Sequence, residues 1–204
     1  MNKEYTILEP FTRRAWEKLT FRQVKEMSGN KSHNYVHGRL KKFVKEGILY
    51  EEKAGNVMLY AVNRSVNALN SVGYVAEYKA NMVKHLPHID IQRVIEKLKI
   101  TYYTFLVAGS YAKQKQTAKS DVDIIIICDD NQKPMAIMAE IKMECELSIP
   151  EFHPYIFRES EFFKMLINKE ENYGKEAARN SLIITGAKQY YGLLLKAVNN
   201  GFRG

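Results

Sequence analysis

A chain of 204 residues, 46% of them hydrophobic, can hold one large domain or two small ones with real cores. No apolar run approaches membrane-spanning length and the first residues lack the apolar core of a signal peptide, so a cytoplasmic protein without membrane contact is expected. The net charge of +8 is uneven, with 15 Lys and Arg against 8 Asp and Glu in residues 1–85 and 16 against 15 in residues 86–204, which implies an anionic partner for the N-terminal part, most often nucleic acid.

Pro10 to Leu19 opens with a proline near a helix start and carries Phe11, Ala15, Trp16 and Leu19 at helical spacing. Thr20 is the cap expected for a second helix, Phe21 to Met27, which stops at Ser28-Gly29. Asn30 and Ser32 offer caps for a third, His33 to Glu46, ended by Gly47. Ile48 to Lys53 and Val57 to Val62 then read as a hairpin around a Gly-Asn turn. On the third helix Val36, Leu40, Phe43 and Val44 have core spacing, and Lys31, His33, Asn34, His37, Arg39, Lys41, Lys42 and Lys45 supply the polar faces.

Helix, helix, turn, helix and hairpin in that order resemble a winged helix-turn-helix, through Thr20 to Met27 and Asn34 to Leu49. The resemblance implies double-stranded DNA as partner. Lys31, Ser32, His33, Asn34, Tyr35 and His37 are then the base-reading candidates, Arg39, Lys41 and Lys42 meet phosphate, and Lys53 adds a backbone contact at the wing tip. A basic amphipathic helix also serves as a solvated face, and such modules also dock proteins. His33 and His37 lie four apart with no third ligand nearby, which leaves them as surface histidines.

Residues 64–85 have mixed helical spacing and link the two halves. His85-Leu-Pro-His marks a break, and Ile91 to Leu98 forms a short helix. The next apolar run ends at Gly109-Ser110, and beyond it Asp121 and Asp123 open a second one, Ile124 to Ile127. In a strand, residues i and i+2 share a face, so the two carboxylates converge. Like charges that close need a cation between them, and a hard ion such as Mg²⁺ fits, with places left for phosphate oxygens. Gly109 lets the backbone approach a phosphate, and the Ser110 hydroxyl and nearby amides donate to it. The plainer alternative is a turn followed by a strand whose first acids are solvated. Cys128, in this run, and Cys145, on an expected helix, read as buried thiols rather than zinc ligands.

Val107-Ala-Gly-Ser-Tyr-Ala-Lys113 followed by Ser120-Asp-Val-Asp-Ile124 resembles the nucleotidyltransferase superfamily of DNA polymerase beta-like proteins, and most closely its minimal bacterial and archaeal members. The resemblance runs from near residue 90 to the C-terminus. It implies metal-dependent transfer of a nucleoside monophosphate from an NTP to a hydroxyl or phosphate acceptor, a small drug or a protein tyrosine among them. Asp121 and Asp123 would hold Mg²⁺, with Mn²⁺ as an alternative, and Gly109, Ser110, Ser120 and Lys113 or Lys115 would meet the nucleotide. Two departures stand out. Lys113-Gln114 replaces the usual Arg-Gly, so the phosphate meets a point charge instead of a fork. In the strand expected at Glu151 to Phe157, His153 stands where a third Asp belongs, with Glu151 on the same face to complete the metal site or act as base.

Pro134 begins the helix after the acidic strand. Tyr173 to Val198 reads as one long helical stripe, packed on the sheet or paired with a second chain, and the last residues are expected to fray. The expected fold is mixed α+β: a winged helix-turn-helix with its linker helix over residues 1–85, and a nucleotidyltransferase domain with a small mixed sheet flanked by helices over 86–204. The rival to the enzyme is a DNA-binding transcriptional regulator whose second domain senses a nucleotide with weak or no turnover.

Overall fold

The computed structural model describes residues 1–204 and divides into two compact units, Met1–Tyr78 with Ala187–Gly204, and Lys79–Gly186. In the first unit a 3-10 helix, Lys3–Leu8, runs into α1 (Glu9–Arg13), whose first turn holds Pro10, where a missing N–H is harmless. The helix expected over Pro10 to Leu19 thus starts and ends earlier. Arg14 leaves helical geometry at φ −137°, and Leu19–Thr20 becomes β1. The apolar Leu19 is spent on a sheet, fully buried opposite Tyr60, and not on a helical stripe.

α2 (Phe21–Met27) opens in a capping box, the Gln23 N–H donating to Thr20 Oγ1 at 3.2 Å and the Thr20 N–H donating to Gln23 Oε1 at 2.8 Å. Ser32 caps α3 (His33–Lys45) by accepting from the Tyr35 N–H, and the helix buries Val36, Leu40 and Phe43. It stops at Gly47, whose φ of +68° suits a residue without Cβ. β2 (Leu49–Ala54) and β3 (Val57–Val62) form the expected antiparallel hairpin around Gly55-Asn56, and β1 adds to the far side of β3. α4 (Val66–Asn81) follows.

In the second unit α5 (His88–Lys97) starts directly after Pro87. β4 (Tyr103–Val107), α6 (Gly109–Ala112), β5 (Val122–Cys128), α7 (Pro134–Leu147), β6 (Phe152–Arg158), α8 (Glu159–Ile167), α9 (Tyr173–Arg179) and β7 (Leu182–Thr185) complete it. The sheet order is β6-β5-β4-β7, with β5 and β6 parallel and the other pairs antiparallel, the small mixed sheet expected. β5 is apolar on both faces because both are covered. On one, Phe105, Val107, Ile124 and Ile126 share a core with Ile91 and Val94 of α5 and Ile137, Ile141 and Cys145 of α7. On the other, Phe157 meets Phe162 of α8, and Tyr155 meets Tyr173 of α9. Cys128 and Cys145 are free and buried, and burial pushes the Cys145 thiol up to about 12.

The long stripe expected from Tyr173 to Val198 is broken into α9, β7 and α10 (Ala187–Asn199). Asn180 ends α9 in a non-helical conformation, and Leu182-Ile-Ile-Thr, rich in β-branched residues, pairs with β4. Gly186 turns the chain at φ +79°, where a Cβ would overlap the Tyr103 carbonyl. α10 then packs with the first unit, although the expected division near residue 86 had placed it in the second domain. The Tyr191 hydroxyl, wholly buried, donates to the Thr12 carbonyl at 2.9 Å. The tail is docked instead of frayed: Phe202 is 2% exposed, with its ring 5.7 Å from Trp16.

Candidate functional site

Two adjacent strand ends build the centre of the site. The Ala108 N–H donates to the Asp123 carbonyl at 2.8 Å, which ties the end of β4 to the start of β5. The chain then turns through Gly109 at φ +62°, and the Asp123 Oδ2 fills the volume that a Cβ at Gly109 would take. Only glycine satisfies both the dihedral and the carboxylate. Asp123 is half-buried, and that burial pushes its carboxyl above the ordinary value of 3.8, with His153 acting in the opposite direction. Asp121 lies two residues earlier, exposed, on the same side of the strand.

The parallel register sets Val122 opposite Phe152 and Asp123 opposite His153, and the Val122 N–H donates to the Glu151 carbonyl at 2.9 Å. Asp121, Asp123 and His153 therefore gather at one sheet edge, which Glu151 joins through its carbonyl. His153 Nε2 stands 3.8 Å from Asp121 Oδ2, both side chains about half exposed. No three His, Cys, Asp or Glu side chains converge into a ready metal cage.

The other expected nucleotide contacts are less uniform. Ser110 follows Gly109 in the first turn of α6, and its carbonyl accepts from the Lys115 N–H at 2.9 Å. Lys113 is held by Glu176 of α9, Nζ to Oε1 2.6 Å. Lys115 is exposed and makes no ion pair. Ser120 closes its own turn, accepting from the Thr117 N–H at 2.9 Å. Three residues not expected from the sequence join the site. Tyr155 shares the strand face of His153, a signal readable from the i, i+2 rule. Tyr173 and Glu176 arrive on α9, brought back by a loop that no local pattern announces. Tyr173 packs against Tyr155, the rings tilted at 46° with centroids 4.8 Å apart, and burial followed by the charge of Asp123 raises its phenol pKa. With Ala108, Gly109, Lys113, Ala177 and Asn180, Tyr173 and Glu176 line a narrow cleft beside the glycine.

In the first unit Lys31, Ser32, His33, Asn34 and His37 are exposed at the start of α3, and Lys53 is exposed near the hairpin tip. His33 lies against Phe21, ring centroids 4.4 Å apart. The Tyr35 ring meets two cations, Lys3 Nζ at 5.6 Å and Arg39 Cζ at 5.1 Å from its centroid. Arg39 and Lys42 both bond Glu4, at 2.9 and 2.8 Å, and Lys41 bonds Glu51 at 2.9 Å. All three cations are ion-paired, Lys42 also with Glu46 at 3.7 Å, whereas Lys31 and Lys53 form no ion pair. Glu4 and Glu51 approach from other elements, which sequence reading along α3 cannot reveal.

Among known protein families, the one described as Putative nucleotidyltransferase DUF294 matches residues 52–147. The match takes in Gly109, Ser110, Asp121 and Asp123 and stops at the end of α7, before β6 and His153. It supports a nucleotidyltransferase-like domain in this chain. No curated protein and no solved structure matches. No helix is long and apolar enough to cross a membrane.

Proposed function

We propose that the protein is a metal-dependent nucleotidyltransferase that moves a nucleoside monophosphate from an NTP to a hydroxyl or phosphate acceptor. The observation that carries this reading is the Asp123 carboxylate seated against the Cα of Gly109, with Asp121 beside it on the same strand face. The backbone amides around Gly109 and the Ser110 hydroxyl would donate to a phosphate, and Lys115, with Lys113 once it leaves Glu176, would supply positive charge. Asp121 and Asp123 suit Mg²⁺, which is commonly held by one or two carboxylates and the substrate's phosphates, without an all-protein cage. Such an ion would neutralise charge on the triphosphate and lower the pKa of the acceptor hydroxyl. His153, beside Asp121, would receive the acceptor's proton, with Glu151 as the alternative.

The first unit is proposed to bind double-stranded DNA as a winged helix-turn-helix. The basic balance of residues 1–85, the exposed polar start of α3 and the hairpin with Lys53 at its tip support this. One observation favours the rival reading as a nucleotide-sensing regulator: His153, and no carboxylate, lies opposite Asp123 in the register. Incubation with α-labelled NTPs and candidate acceptors, in Mg²⁺ and in Mn²⁺, separates the two. The expected outcome is label transfer that disappears in Asp121→Asn with Asp123→Asn. Nucleotide binding without transfer to any acceptor in either metal would favour the regulator.

A further inference from the structure

The Tyr173 hydroxyl is inaccessible to solvent and has no hydrogen-bond partner in the protein. Buried polar atoms are almost always paired, so an unpaired one in a cleft calls for an explanation. Tyr173 opens α9 and lines the same cleft as Gly109, Lys113 and Glu176. Its ring is fixed against Tyr155, two residues beyond His153 on β6. Across the cleft the Lys113 ammonium is bound only by Glu176, itself about half exposed. The cleft thus combines a glycine without side chain, a phenol donor without acceptor, and a cation whose partner is exchangeable. The cleft is too narrow for a phosphate while Lys113 holds Glu176, but a phosphate oxygen that takes Glu176's place on Lys113 opens it and accepts from the phenol. Asp123 and Glu176 repel a bare anion, so the phosphate chain must arrive with its divalent cation.

We propose that Tyr173 is a further nucleotide-binding residue, donating its hydroxyl to a phosphate oxygen of the NTP seated over Gly109 while Lys113 exchanges Glu176 for the same phosphate chain. The proposal rests on the nucleotidyltransferase reading above and names a contact within it. Because the ring is already packed, the contact costs little side-chain ordering on binding.

Equilibrium dialysis of the full chain against labelled ATP, GTP, CTP and UTP with MgCl₂ tests it, using wild type, Tyr173→Phe and Tyr102→Phe. Tyr173→Phe should bind the preferred NTP about tenfold more weakly. It should also melt at the same temperature as wild type or higher, because it deletes an unpaired hydroxyl. Tyr102→Phe, which removes an exposed phenol outside the cleft, should bind as wild type does. Wild-type affinity in Tyr173→Phe would overturn the proposal, and so would weaker binding accompanied by a lower melting temperature, which would mark a structural role. No binding of any NTP by the wild type would bring down the nucleotide reading itself, an outcome distinct from a wild type that binds and a Tyr173→Phe that binds equally well.

Discussion

Gly109 and Asp123 compete for one volume, and the glycine yields it. Gly109→Ala adds a Cβ at φ +62° into the place of the Asp123 Oδ2, so either the turn or the carboxylate must move. A non-glycine residue in that conformation costs about 1–3 kcal/mol, to be read from the urea unfolding midpoint, and displacement of the carboxylate should weaken NTP binding as well. Asp123 carries a second consequence. Its folded carboxyl is raised by burial above the ordinary 3.8, so the native chain holds this proton more tightly than the unfolded one. The stability so gained is fully present below 3.8 and is lost as pH rises through the folded value. Asp123→Asn should therefore melt higher than wild type at pH 7, with the difference shrinking as pH falls toward 3.8, while losing metal-dependent NTP binding. A variant that melts lower at pH 7 would refute the burial argument. Gly109, Ser110, Asp121 and Asp123 were legible in the sequence because strand alternation and a glycine turn are local properties. Tyr173 and Glu176 were not, since their approach depends on where α9 lands.

At the scale of elements, caps and turns spoke clearly. Thr20, Ser32, Gly47 and Gly55-Asn56 mark real boundaries in α2, α3 and the hairpin, because each satisfies a backbone requirement within four residues. Apolar periodicity misled where one stripe served two structures. Leu182 to Thr185 falls in phase with a helix, yet its pairing with β4 wins, and the Gly186 turn separates it from α10. The tail was misjudged for a similar reason, since Phe202 finds Trp16 only through tertiary packing. Phe202→Ala should destabilise the first unit by about 3 kcal/mol, the range for deleting a buried aromatic. Thermal unfolding followed by circular dichroism checks this, and a change below about 0.5 kcal/mol would mean that the tail contributes no packing.

For the whole molecule, net charge proved a coarser guide than charge pairing. The basic excess of residues 1–85 is real, but Arg39, Lys41 and Lys42 are paired with Glu4, Glu46 and Glu51. Exposed ion pairs of this kind add little stability, yet a phosphate must displace the carboxylate to use them. Lys31 and Lys53 are free of that competition. If the first unit binds duplex DNA, Lys31→Ala with Lys53→Ala should lower the salt slope of binding by about 2. Lys41→Ala with Lys42→Ala should lower it less, and fluorescence anisotropy across a salt series measures both. Equal or larger effects at Lys41 and Lys42 would show that the Glu pairs open on binding.

The central claim is that Gly109, Asp121 and Asp123 form a metal-nucleotide site. Titration calorimetry of NTPs into the full chain, with MgCl₂ and with EDTA, tests it most directly. The expected result is binding that requires the metal and vanishes in Asp121→Asn with Asp123→Asn. Binding of equal strength in EDTA, or unchanged in that double variant, would contradict it.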